Sequence, residues 1–201
     1  MCDFMSISSH KIHGPKGVGA LFVKDLQHLN ILQPLIIGGH EQEFGFRGGT
    51  ENVAGIVGFG AACEYMRKRI ADEQRHNKLL KQVFFHELEY QLVNSGIGVR
   101  VNGGEHILEN ESKTMNICID GVDAETLLIV LDMSGVCASA GSACRSHEQE
   151  PSRTLLSMGI DAEDARNSIR VSFSNLNHEN SVREAAKIVA DKAKLLKGAA
   201  L

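Results

Sequence analysis

No stretch of the chain reaches the roughly 18 consecutive apolar residues of a membrane-spanning helix. The N-terminus has no basic segment followed by an apolar one, so no secretory leader is legible. No pair of cysteines stands at C-x-x-C spacing. The five cysteines (Cys2, Cys63, Cys118, Cys137 and Cys144) are odd in number and widely spaced, which argues against a disulfide framework or a structural metal site and for a reducing compartment. The expectation is a cytoplasmic protein, or one of an organellar matrix if the source is eukaryotic. Long blocks of like charge are also missing. Lys and Arg number 21 against 25 Asp and Glu, a net charge of −4, so neither nucleic acid nor a membrane is an expected partner. Internal repeats and low-complexity segments are absent.

What is present fits one or two domains, since 201 residues can bury a sizeable core. The chain opens as though inside a strand, with Phe4, Met5 and Ile7 apolar and serines between them. That start, with no cap or turn before it, suggests the second part of a larger protein. Gly17–Val23, small and β-branched, reads as a buried strand. Lys24–Asn30 is a polar bend, and Ile31–Ile37 is an apolar run interrupted by Pro34. From Asn52 to about Leu92 the pattern is helical, with Val53, Ile56, Val57, Gly60 and Ala61 as one stripe. Leu79, Leu80, Val83, Phe84, Leu88 and Leu92 form a second stripe, while Arg67–Arg69 and Asp72–Lys78 read as solvated faces. A second α/β segment follows: strands at Val99–Gly103 and Thr114–Ile119 across a polar loop, and a helix capped by Asp123 and stopped at Gly135. A short helix after Pro151, a strand at Ser168–Phe173 and an amphipathic helix over Ser181–Leu196 complete it. Ser181 and Glu184 have capping-box spacing, and Gly198 is the expected stop. The expected domains are 1–52, a linking helix over 53–94, and 95–201.

Three positions carry chemistry. Lys11 stands beside His10 just after Ser8 and Ser9, before the Gly14-Pro15 turn. Desolvation and a neighbouring cation make such an amine nucleophilic toward an aldehyde; the alternative is a surface lysine entering a turn. Phe46-Arg-Gly-Gly-Thr-Glu-Asn is a loose loop before the long helix, where Thr50 and free amides offer a phosphate cradle or a simple cap. Cys63, Cys118 and Cys137 read as buried small hydrophobes. Cys144 lies instead among small residues in Ala140-Gly-Ser-Ala-Cys-Arg-Ser, with Arg145 and His147 near enough to favour a thiolate.

Ser8-Ser-His-Lys-Ile-His-Gly-Pro-Lys-Gly, Arg47-Gly-Gly-Thr-Glu-Asn-Val-Ala-Gly-Ile and Ala140-Gly-Ser-Ala-Cys-Arg-Ser-His-Glu-Gln-Glu-Pro-Ser, in this order, resemble the cysteine desulfurases of iron–sulfur cluster assembly, within the class-V aminotransferase-like enzymes. The resemblance covers essentially the whole chain. It implies an α/β fold, the C-terminal part of a fold-type-I pyridoxal-phosphate enzyme: the end of the large domain plus the small α/β domain. It implies conversion of L-cysteine to L-alanine, with pyridoxal 5'-phosphate as cofactor. Lys11 would carry the cofactor as a Schiff base and shuttle the α-proton, Ser8 and His10 would bind its phosphate, and Thr50 would reach the phosphate of the neighbouring subunit. Cys144 would take the sulfur as a persulfide, and Arg170 would hold the substrate carboxylate with its planar fork. The implied partners are a sulfur acceptor or iron–sulfur scaffold protein and a second copy in a homodimer, or a complementing N-terminal half.

The family places its ring-stacking histidine, its pyridine-nitrogen aspartate and its phosphate-binding helix start upstream of the lysine, in sequence not present here. The chain alone is therefore expected to be inactive, with the first fifty residues in need of a partner and the part from about Ser95 able to fold by itself. Gly48, where a larger small residue is common, and His13, where an aromatic is usual, are smaller departures. Two other readings stand beside this one. One is a non-catalytic module that docks on acceptor or scaffold proteins. The other is a different fold-type-I enzyme such as an aminotransferase, which has no use for Cys144.

Overall fold

The computed structural model describes residues 2–39, 42–140 and 151–199. The chain divides into two compact units, Met1–Ile70 and Ala71–Leu201. In the first, β1 (Phe4–Ser8) and β2 (Gly19–Val23) pair antiparallel, with Phe4 opposite Val23 and Ser8 opposite Gly19. The turn between them contains one 3-10 segment, Ser9–Ile12, closed by His13 in the left-handed conformation (φ 67°). A second 3-10 segment, Leu26–Ile31, starts on Asp25, whose carboxylate accepts from the Gln27 amide at 2.9 Å. β2 lies where the strand was expected, yet it is not buried: Leu21 and Phe22 are exposed. Two strands alone offer too little surface to cover their own side chains. Beyond Ile31, which ends the second 3-10 segment, the apolar run is irregular and mostly exposed, with Leu35, Ile36 and Ile37 uncovered and a parallel bridge from Ile36 to Arg47.

α1 (Val53–Leu92) is the long helix the pattern predicts, starting directly after Asn52. Its first stripe is rotated from the expected one. Val53, Ile56 and Val57 are exposed, while Gly55, Phe59 and Ala62 are buried. The cause is close approach. A Cβ at Gly58 would lie 2.6 Å from Pro15 Cγ, and one at Gly14 would lie 3.1 Å from Ala62 Cβ. The helix thus meets the Gly14-Pro15 turn through its smallest residues, and the branched ones are left outside. Arg67 and Lys68 are exposed as expected, both paired with Glu64 at 2.9 Å.

In the second unit, β3 (Val99–Val101), β4 (Thr114–Ile119) and β5 (Ser168–Ser172) form an antiparallel sheet in the order β3–β4–β5. Val101 stands opposite Ile117, and Ile117 opposite Ile169. These residues join Leu80, Phe84, Leu88 and Leu92 of α1 in one core, where Phe84 meets Phe173 edge-on with ring centroids 5.9 Å apart. α3 (Ala124–Asp132) is capped as expected, the Asp123 carboxylate accepting from the Thr126 amide at 2.8 Å. The helix after Pro151 is α4 (Arg153–Ser157). α6 (Glu179–Ala199) contributes Val182, Ala186, Val189 and Ala193 to the core. It starts two residues before the expected cap and runs through Gly198. Ser181 sits in its first turn, accepting from the His178 amide at 3.2 Å, so it serves from inside the helix and not as the cap of a box with Glu184. Two short helices escape the sequence pattern: α2 (His106–Glu109), inside the expected polar loop, and α5 (Ala162–Arg166), where the Asp161 carboxylate accepts from the Asp164 amide. Both are too short for an apolar period to show. Among the described residues no helix is long and apolar enough to cross a membrane.

The polar run Asp72–Lys78 is not uniformly solvated. Glu73 and Asn77 are buried, and Lys81, one further turn along the same face, is 0% exposed. Its ammonium donates to the Ile107 carbonyl (2.7 Å), the Asn110 carbonyl (2.8 Å) and Asn110 Oδ1 (2.6 Å). All three lysine donors are therefore satisfied by the C-terminal end of α2. Burial holds the Lys81 pKa below the usual lysine range. Replacing Lys81 with Met keeps most of the volume but removes all three hydrogen bonds, and of the three acceptors Asn110 Oδ1 keeps the Ser112 amide at 3.0 Å. The expected loss is about 1.5–3 kcal/mol, the range for hydrogen bonds to charged groups, read from the urea midpoint at constant m-value. A loss within about 0.5 kcal/mol, the level of an ordinary surface substitution, would show that α2 does not depend on this anchor.

Candidate functional site

The first site element is the Ser8–Lys11 turn. Ser8 begins the 3-10 segment in extended conformation, and its hydroxyl makes no capping hydrogen bond. Ser9 is buried and ties the turn to the ribbon: its amide donates to Val18 (3.2 Å) and its carbonyl accepts from Gly14 (3.0 Å) and from the His13 amide. His10 and Lys11 are exposed. A hydroxyl, an imidazole and an amine thus lie within four consecutive residues of a turn fixed by backbone hydrogen bonds. The left-handed φ at His13 is uncommon outside glycine, and histidine is among the residues that tolerate it.

The second element is the loop that leads into α1. Gly48 is buried against Gly38, its amide donating to the Ile36 carbonyl at 2.8 Å. A Cβ on Gly38 would come 2.6 Å from Gly48 Cα, and one on Gly48 would overlap the Gly38 backbone. This contact explains why the larger side chain implied by the resemblance is replaced by glycine. Gln42 Oε1 accepts from the Gly49 amide (2.7 Å), and Arg47 donates to the carbonyls of Gly49 (3.0 Å) and Thr50 (3.3 Å). Asn52 Oδ1 accepts from the Gly55 amide at 3.0 Å. The Gly48, Gly49, Val53 and Gly55 amides are thus engaged within the loop and helix start, while the Thr50 side chain is exposed. Gln42 and Arg47 were not legible as loop-holding residues, because nothing in their spacing shows which carbonyl or amide they reach.

In the second unit Arg170 is half-buried on β5, opposite Asn116 of β4. Its backbone forms an extra bridge with Ser139, whose carbonyl accepts from the Arg170 amide at 2.6 Å. Arg170, Asn116, Cys118 and Ser168 share one face of the sheet by register, the face opposite Ile117 and Ile169. Cys144 lies outside the described residues. Ser8, His10 and Lys11 therefore share one turn, Thr50 belongs to another loop of the same unit, and Arg170 belongs to the second unit.

Cys118 is buried as expected, but Cys63 and Cys137 are exposed. Cys63 follows Ala62 on the outward side of α1, and Cys137 lies outside the sheet, so neither finds an apolar cover. Cys118 Sγ stands 3.8 Å from Asp164 and 4.0 Å from Asp120. The ligand atoms of all three lie within 4.8 Å of one another. Arg100 pairs with both carboxylates, which supplies the positive charge the pair needs and raises the arginine's own pKa. Burial pushes the Cys118 thiol up to about 11 despite that neighbouring guanidinium.

A pyridoxal phosphate, as the sequence resemblance implies, would meet a hydroxyl and an imidazole at Ser8 and His10 and an amine at Lys11. The aspartates of the described first unit are already engaged, Asp3 with Lys24 at 3.9 Å and Asp25 with the Gln27 amide, so neither is assigned to the ring nitrogen.

The family model for aminotransferase class-V matches residues 1–184. A cysteine desulfurase of Klebsiella pneumoniae is 38% identical over 180 residues, which is 90% of this chain and 43% of that protein. Among solved structures, the NifS-like protein from Rickettsia africae ESF-5 is 33% identical with a TM-score of 0.72, over 94% of this chain and 48% of that one. SspA in complex with cysteine is 29% identical with a TM-score of 0.56, over 86% of this chain and 44% of that one. The chain spans less than half the length of the curated relatives it matches.

Gly48→Ala is expected to break the Ile36–Arg47 bridge, because its methyl would meet backbone that cannot yield as a flexible side chain does. Overpacking of this kind costs about 1–3 kcal/mol. Faster exchange of the Gly48 amide, with the second unit unaffected, is the expected signature; unchanged exchange would refute the contact. The Cys118 thiol gives a pH test. An unfolded thiol ionises near 9.0 and the buried one at about 11, so within that window the unfolded state releases a proton that the native state retains. Stability linked to Cys118 should be complete below pH 9 and fall as pH rises toward 11. Urea unfolding from pH 8 to pH 11 should show that fall, and Cys118→Ala should flatten it.

Proposed function

The chain belongs to the class-V aminotransferase family, and from that premise we propose that it supplies the lysine, thiol and carboxylate-binding residues of a cysteine desulfurase. In this reading L-cysteine gives up its sulfur to Cys144, which becomes a persulfide, and leaves as L-alanine. The observation that carries the reading is that the family match, residues 1–184, runs through Ser8, His10, Lys11, Thr50, Cys144 and Arg170 alike. The similarity to desulfurases and to a protein solved with cysteine supports the substrate.

Each residue has a task that its chemistry suits. Lys11, exposed on a turn held by the Ser9 backbone, binds the aldehyde and moves the substrate α-proton at its ε-nitrogen. Ser8, whose hydroxyl makes no capping hydrogen bond, and His10 hold the phosphate. Thr50 reaches the phosphate bound by a neighbouring subunit, which makes the site that of a homodimer. Arg170 clamps the substrate carboxylate through two parallel hydrogen bonds that a lysine cannot reproduce. Bound pyridoxal phosphate supplies the electron sink for the carbanion at the α-carbon. The Cys144 thiolate would attack the substrate sulfur, forming an S–S bond as the substrate Cβ–Sγ bond breaks. The electron pair of that bond stays on carbon and is protonated to give alanine, and the outer sulfur of the persulfide passes to an acceptor or iron–sulfur scaffold protein. The expected domains, 1–52 and 95–201 about a linking helix, serve the cofactor side and the substrate side respectively. A class-V aminotransferase without desulfurase chemistry would leave Cys144 unused, so the thiol separates the two readings.

Borohydride reduction in the presence of pyridoxal phosphate, followed by peptide mapping, should place the pyridoxyl group on Lys11; a label confined to Lys16 or Lys24 would remove the assignment. Cys144→Ala, tested in the assembled enzyme, should abolish persulfide and alanine release while leaving cofactor labelling intact, because the thiol acts after the amine. Undiminished alanine release in that variant would overturn the desulfurase reading.

A further inference from the structure

Ser9 is the hub of the turn that bears Lys11. Its amide and its carbonyl are both tied into the ribbon, through Val18 on one side and His13 and Gly14 on the other. The residue is 0% exposed, yet its hydroxyl has no hydrogen-bond partner among the described residues. Native interiors rarely keep such an orphan, and an alanine would avoid it. Local stability therefore does not account for a serine here.

The packing around Gly14 does. The Ser9 hydroxyl occupies the space that a Cβ on Gly14 would need, so the two would overlap. That Cβ would also lie 3.1 Å from Ala62 Cβ and 3.1 Å from the Ser9 carbonyl oxygen. The hydroxyl is thus wedged against the bare Cα of Gly14, with α1 behind it. We propose that Ser9 and Gly14 are a positioning pair: the wedge holds the Ser9–Ile12 segment in one conformation and so sets where the Lys11 amine stands. The pair gives up a hydrogen bond in exchange for a fixed turn, the kind of local conflict expected beside a functional group. The inference rests on the assignment of Lys11 as the Schiff-base lysine.

The test uses the 201-residue chain and its Ser9→Ala, Gly14→Ala and double variants. Amide exchange at His13 and Gly14 reports the turn, the share of pyridoxyl label on Lys11 relative to Lys16 and Lys24 reports the amine, and Tm reports stability. Ser9→Ala should leave Tm unchanged or raised, because an orphaned hydroxyl is removed. The same variant should speed exchange at His13 and Gly14 several-fold and lower the Lys11 share of label. Gly14→Ala should disturb the turn more, and adding Ser9→Ala should restore it, since the new methyl takes the hydroxyl's place. Unchanged exchange in Ser9→Ala would overturn the pair. So would a fall in Tm with exchange rising evenly along β1 and β2, because that is what a merely structural serine would do. A double variant no better than Gly14→Ala would also overturn it; should Gly14→Ala fail to fold, Ser9→Ala alone decides. If wild-type label is confined to Lys16 or Lys24, the Schiff-base assignment falls, and the exchange measurements still judge the pair.

Discussion

Hydrogen-bonded strands send successive side chains to opposite faces, and in β4 and β5 that two-residue alternation organises the whole second unit. Met115, Ile117, Ile119 and Ile169 enter one core with α1, α3 and α6. The residues between them, Asn116, Cys118, Ser168 and Arg170, face the other way. There Asn102 donates to the Ser168 hydroxyl at 2.8 Å, and Arg100 bridges Asp120 and Asp164. A slip of one residue in register would exchange the two sets, placing Arg170 in the core and Ile169 among carboxylates. The apolar face thus fixes the polar one, and with it the position of Arg170.

The first unit has no comparable core and is held by different means. Its turns are set by backbone hydrogen bonds and by close contacts that glycine permits: Gly14 against Ser9, Gly38 against Gly48, Gly58 against Pro15. Few large side chains are buried there; Leu35 and Ile37 are 98% and 86% exposed. Reactive groups mounted on such turns are placed by the backbone. The Ser8–Lys11 turn presents a hydroxyl, an imidazole and an amine together in this way.

The readings that held rest on local chemistry. Asp123 caps α3 because a carboxylate two or three residues before a helical amide accepts from it wherever the rest of the chain lies. Of the expected stripe, Leu80, Val83, Phe84, Leu88 and Leu92 are buried because a period of 3.6 residues defines one helix face, while Leu79 falls outside that face and is exposed. The readings that failed needed knowledge of what covers a face. Cys63 and Cys137 have the composition of buried residues but lie on uncovered surface. Val53 and Val57 are more apolar than Gly55 and Gly58, yet the small residues won the inside because Pro15 comes so close. Glu73 and Asn77 read as solvated within Asp72–Lys78, yet both lie on the covered face of α1.

The sequence by itself determined the order of the longer elements, the family, and the candidate residues Ser8, His10, Lys11, Thr50, Cys144 and Arg170, because residue type, spacing and turn residues are properties of neighbours along the chain. Tertiary structure alone decided which side of each element is covered. It showed that Ser9 is buried with a hydroxyl unpartnered among the described residues and that Gly38 must remain bare for Gly48. It also showed that Gln42 and Arg47 hold the loop before α1. Each of these depends on contacts between residues whose closeness in space is set by packing, which no local pattern records.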